Sequence, residues 1–171
     1  MKVTGNELIE LVGLPDHDAS VIALLAKLTL KRPVKDRHYD GVSIIKDTPD
    51  DAVELSFDES LTSDKQKNGG YGPAEFYLNA IMINKCDYIS PPFNISWQDS
   101  YAEITKKLNR PADFIVTGVR LPRKIWLFEH DNDKYFLTID FDGSKEVVIR
   151  GFDLVPFDSE ESYLFEANVE S

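Results

Sequence analysis

The chain has 171 residues, long enough to enclose one proper core and too short for two large ones. Its apolar content of 42% and aromatic content of 11% supply the burial that disordered chains lack. Thirty acidic side chains against nineteen Lys and Arg give a formal charge of −11, a field that repels nucleic acid and anionic lipid and attracts a basic protein.

The first element reads as a helix. Thr4 and Glu7 stand at capping-box spacing, Leu8, Leu11 and Val12 share a face, and Gly13 with Pro15 ends it. A second helix carries Val21, Leu24, Leu25 and Leu28, with Asp16 or Asp18 as its cap and Arg32-Pro33 as its stop. Two strands follow, Val42 to Lys46 and the alternating Ala52 to Phe57, joined by the turn residues Thr48-Pro49-Asp50-Asp51. Residues 60–75 are polar and rich in glycine, which marks a connecting loop.

A strand from Phe76 to Asn84 is apolar on both faces, as a central strand is. Ser100 and Glu103 form a second capping box, leading a helix with Tyr101, Ile104 and Leu108 inward and Asn109 in the left-handed closing position. Strands are expected at Phe114 to Val119, Arg123 to Glu129, Lys134 to Asp140 and Glu146 to Phe152. Asp131-Asn132-Asp133 and Asp142-Gly143 supply turns between them. The tail beyond Pro156 is acidic and reads as a fraying end on which Tyr163, Leu164 and Phe165 can dock. Helices feeding antiparallel strands predict an α+β fold, a single domain over 1–171. The repeated order of a capped helix, an Arg-Pro stop and strands suggests two helix-then-sheet units, 1–59 and 76–157, joined by the loop 60–75.

Catalytic chemistry is not legible. His17, His38 and His130 lie in polar turns with no second histidine at metal-ligand spacing. A solvated turn accounts for His130 beside Asp131 and Asp133 better than a metal does. No serine sits in a nucleophile elbow, and the glycine-rich 68–72 lacks the ending of a phosphate loop. Cys86 is the only cysteine and lies among apolar residues, which predicts a buried, inert thiol. Trp97 and Trp126 sit in apolar patterns and are assigned to the core. No catalytic residue, metal site or cofactor is therefore expected. The N-terminal residues lack the apolar run of a signal peptide and no stretch approaches membrane-spanning length, so a cytoplasmic protein with no membrane or direct nucleic-acid partner is expected. What the sequence does concentrate is negative charge. Asp47, Asp50, Asp51, Glu54, Asp58 and Glu59 fall together with no Lys or Arg among them, and they are the predicted partner-binding residues. A second acidic group runs from Asp153 to Glu170.

Three stretches carry a family resemblance: Phe76-Tyr77-Leu78-Asn79-Ala80-Ile81, Ile89 through Ser100 with its Pro92-Phe93-Asn94-Ile95-Ser96-Trp97-Gln98-Asp99-Ser100, and Lys107-Leu108-Asn109-Arg110-Pro111. With Arg123-Lys124-Ile125-Trp126 and Phe136 through Gly143, they resemble immunity proteins encoded beside bacterial polymorphic and contact-dependent growth inhibition toxins. Pro92, Asn94 and Asn109 depart from that family's Leu, Gly and Gly, and asparagine is the best substitute for glycine in a left-handed position. The resemblance implies neutralisation of a cognate toxin by tight binding, with no active site to carry over. A nuclease toxin would be basic at its contact face, and an acidic inhibitor would stand in for phosphates. The charge pattern alone equally fits an acidic interaction or regulatory module with a non-toxin partner.

Overall fold

The computed structural model describes residues 2–34, 43–59, 76–116, 122–131, 133–143, 146 and 149–156. In chain order the elements are β1 (Val3–Thr4), α1 (Gly5–Leu11), α2 (Ala19–Lys27), β2 (Ser43–Asp47), β3 (Val53–Asp58), β4 (Tyr77–Asn84) and β5 (Ile89–Ser90). They continue with α3 (Tyr101–Leu108), β6 (Phe114–Val116), β7 (Arg123–His130), β8 (Asp133–Phe141) and β9 (Ile149–Pro156). The fold is α+β: three short helices among the described residues and a seven-stranded antiparallel sheet in the order β2-β3-β4-β9-β8-β7-β6.

The helices begin where local chemistry dictates. Thr4 and Ser100 each accept from the backbone of the residue three ahead, and Glu7 and Glu103 reach back to the cap's own N–H at 2.7 Å. These bonds hold both carboxyls below the usual glutamate range. Asp18, and not Asp16, caps α2, accepting from Ser20 N–H at 2.8 Å. Asp16 is fully buried and takes a two-pronged contact from Arg32, Nε at 3.0 Å and Nη2 at 2.7 Å.

The end of α2 corrects the sequence expectation. The helix stops at Lys27, short of Arg32-Pro33, because Thr29 turns left-handed at φ 60°. Thr29 N–H then bonds Ala26 C=O and Leu30 N–H bonds Leu25 C=O, which places Leu30 against the core. α3 closes the same way on Asn109 at φ 54°, as expected.

One face of the sheet carries the main core: Val53, Leu55 and Phe57 of β3, Ile81 and Ile83 of β4, Phe152 and Leu154 of β9, and Leu137 and Ile139 of β8. Leu8, Val21, Leu24, Leu25 and Ile104 of the helices join that cluster, as do Trp97 and Trp126. The opposite face has a smaller apolar cluster of Val116, Ile125 and Phe136. β4 is central: its last four residues pair with β9, while Phe76 and Leu78, on either side of Tyr77, exchange backbone hydrogen bonds with Gly13, Leu14 and Asp16. β2 and β3 of the first half therefore lie in one sheet with β4 and β6 to β9 of the second.

Several strand boundaries differ from expectation. The last strand is Ile149–Pro156 and not Glu146 to Phe152, because Glu146 adopts φ 51° outside it and accepts from Tyr101 N–H. The first strand of the hairpin, Ser43–Asp47, extends one residue past the expected Lys46, and Val42 lies outside the described residues. The parallel pair β1 and β5 was not foreseen, since two residues carry no periodicity. It is locked by Gly5, whose missing side chain lets Pro92 approach: a Cβ there would lie 2.3 Å from Pro92 N. The loop 60–75, His38 and the tail beyond 156 lie outside the described residues.

Candidate protein-binding cleft

Antiparallel register assembles a row of polar side chains on the sheet face opposite the helices. Asp47 on β2 stands across from Glu54 on β3, Glu54 from Met82 on β4, and Met82 from Asp153 on β9. Asp153 faces Thr138 on β8, while Asp140 two residues on faces Arg123 of β7. A cleft of about 380 Å³ is lined by Asp47, Asp51, Glu54, Asp140, Asp153 and Arg123, with Met82, Asn84 and Val53 on its floor. Five carboxyls thus share one guanidinium.

Arg123 is committed inside the cleft. Its Nε and Nη2 reach the two Asp140 oxygens at 2.7 and 2.8 Å, and Nη2 lies 3.9 Å from Asp153. Asp153 is the less compensated acid. Burial first, then the charge of Asp140, pushes its carboxyl up to about 7, against the opposing pull of Arg123. Glu54 is raised as well, by burial and then by Asp47. The cleft holds more negative charge than its own cation offsets, so an incoming guanidinium or ammonium group would be stabilised there.

The turn at one rim is rigid. Asp51 takes φ 54°, its carbonyl accepts from Asn84 Nδ2 at 2.8 Å, and Thr48 Oγ1 accepts from Val53 N–H at 3.0 Å. Both Asp50 oxygens accept from Tyr88 Oη, at 3.0 and 2.9 Å. Bonds from Thr48 and Tyr88 hold the Asp50 carboxyl below the usual aspartate range.

The six acids singled out by sequence therefore separate. Asp47, Asp51 and Glu54 line the cleft, and Asp50 braces the turn beside it. Glu59 is exposed at the far end of β3, away from the lining residues. Asp58 is only 3% exposed and does not present a surface to a partner, which corrects its assignment as a contact residue. Arg123, Asp140 and Asp153 were not grouped with them by sequence. The signal available was an acid placed between Phe152 and Leu154 in a run otherwise fit for a core strand.

Among the described lining residues there is no histidine, serine, threonine or cysteine, and the side chains that could react are the carboxylates themselves. Cys86 is half-buried and burial pushes its thiol up, which keeps it protonated. Among the described helices, none is long and apolar enough to cross a membrane.

No protein-family model matches the chain, and neither a similar curated protein nor a similar solved structure is found.

Proposed function

We propose that this chain is an immunity protein that acts in the cytoplasm, neutralising a cognate bacterial toxin by binding it and covering its active site or substrate face. The observation that carries the reading is the cleft: five carboxyls around one guanidinium, on a sheet face with a rigid acidic rim. A basic side chain of the toxin enters it, and the exposed Asp47 and Asp51 extend the negative surface around that anchor. The formal charge of −11 steers the encounter and raises its rate at low salt. The family resemblance of Phe76 through Pro111 supports the same role.

Co-expression with the neighbouring gene tests it. Cells producing the neighbouring product alone should stop growing, cells producing both should survive, and the two proteins should co-purify. A harmless neighbour, or a toxic one that this chain neither binds nor restrains, removes the reading. A stable complex with a harmless basic protein would favour a regulatory interaction module instead.

A further inference from the structure

We propose that Glu10, His130 and Asp131 form a binding site for a divalent transition ion of the zinc type. Glu10 lies one residue before the end of α1, His130 ends β7 and Asp131 begins the turn to β8, so two segments 120 positions apart in the chain converge. Their ligand atoms all lie within 4.8 Å of one another. His130 Nε2 stands 2.7 Å from Glu10 Oε1 and 3.6 Å from Asp131 Oδ2.

The bonding of the imidazole separates this group from an ordinary ion pair. Nε2 is sealed from solvent and, among the described residues, has no hydrogen bond, although Glu10 Oε1 stands only 2.7 Å away. Two ligands of one ion stand in that relation. With metal–ligand bonds of about 2.0–2.2 Å and angles of about 90–110°, neighbouring ligand atoms are separated by roughly 2.8–3.6 Å. The observed 2.7 and 3.6 Å lie at the two ends of that range.

The donor set selects the metal. One imidazole and two carboxylates suit zinc, with water completing four ligands, whereas magnesium and calcium take six or more oxygens. Asp133, which sequence paired with His130, is instead buried and accepts from Tyr135 Oη at 3.4 Å. An ion here would staple α1 to the β7–β8 turn, on residues separate from those of the acidic cleft.

Calorimetric titration of the full chain, stripped with a chelator, against zinc chloride tests the site. Saturable binding of one equivalent is expected, weakened at least about tenfold in Glu10→Gln, Asp131→Asn and His130→Ala, with far-UV circular dichroism unchanged. His17→Ala should bind as the parent does, and excess magnesium chloride should not displace zinc. The proposal fails if zinc does not saturate the parent chain, if Glu10→Gln and Asp131→Asn bind unchanged, if His17→Ala abolishes binding, or if magnesium competes. The two carboxylate variants replace exposed side chains, so they decide the matter even if His130→Ala does not fold.

Discussion

Arg123 on β7 and Asp140 on β8 face each other across the strand pair, and the guanidinium grips both carboxylate oxygens at 2.7 and 2.8 Å. Asp153 stands at 3.9 Å on the next strand. This cation offsets the charge of Asp140 and, in part, that of Asp153. Replacing it by Met leaves Asp140 and Asp153 on neighbouring strands without that compensation. Arg123→Met should lower stability by about 1.5–3 kcal/mol at pH 7.5, the range for hydrogen bonds to charged groups. Urea denaturation measures it, and an unchanged midpoint would show that the pair is idle.

Asp153 gives the protein an acid-side gain in stability. Its folded pKa of about 7 lies above the unfolded value, so the folded chain holds a proton that the unfolded chain has released. That contribution is fully present below the unfolded pKa and is lost as pH rises through about 7. Asp153→Asn should therefore be more stable than the parent at pH 8, by on the order of 2 kcal/mol, with the difference shrinking toward pH 5. Glu7, Asp50 and Glu103 act with the opposite sign: their depressed carboxyls stabilise above the unfolded pKa and lose that effect as pH falls through the folded one. Melts at several pH values on both proteins check the crossover, and parallel curves would contradict it.

Thr29 and Asn109 close two helices with the same left-handed turn, but threonine is β-branched and poorly suited to it. Thr29→Gly should stabilise the protein by about 1 kcal/mol, and Asn109→Gly should change little. Asn109→Ala should cost about 1 kcal/mol. Thermal melts rank the three, and a destabilised Thr29→Gly would mean the threonine side chain makes a compensating contact.

Gly5 is needed for the contact between the N-terminal strand-helix junction and Pro92. A methyl group at 2.3 Å from Pro92 N and 2.7 Å from Pro91 C meets backbone that has no rotamer to yield. Gly5→Ala should cost about 3 kcal/mol or more, despite alanine's better helix propensity. Retained stability would require β1 and β5 to separate without consequence, which loss of amide protection at Val3 would reveal.

Charge reversal at the cleft's exposed rim tests the binding reading directly. Asp47→Lys with Asp51→Lys should weaken the proposed complex with a toxin at least about tenfold, mostly through slower association, and should flatten its salt dependence. Both side chains are exposed, so the fold should be untouched. An identical affinity and salt slope would place the interface on another face.

Much of the local structure can be read along the chain, because its causes lie within a few residues. The Thr4–Glu7 and Ser100–Glu103 boxes act over three positions, Asn109 tolerates the left-handed turn by itself, and the alternation of Val53, Leu55 and Phe57 follows from the pleat. The end of α2 is different: threonine disfavours φ 60°, and it is the seating of Leu28 and Leu30 in the core that imposes it. The same holds for the acids. Their clustering near residue 50 was visible, but sequence proximity does not say which face a side chain takes, so Asp58 passed for a surface residue although it is buried.

By itself the sequence determined the charge, the helix caps, the turn chemistry and the α+β class, all consequences of composition and of interactions across short spans. Tertiary structure alone decided the two chemical groupings. Pairing of β4 with β9 carries Asp153 to Glu54, 99 positions away, and packing of α1 against the β7–β8 turn carries Glu10 to His130. Such meetings depend on long-range register, which is set by the burial of whole strands and leaves no periodic trace around any one residue.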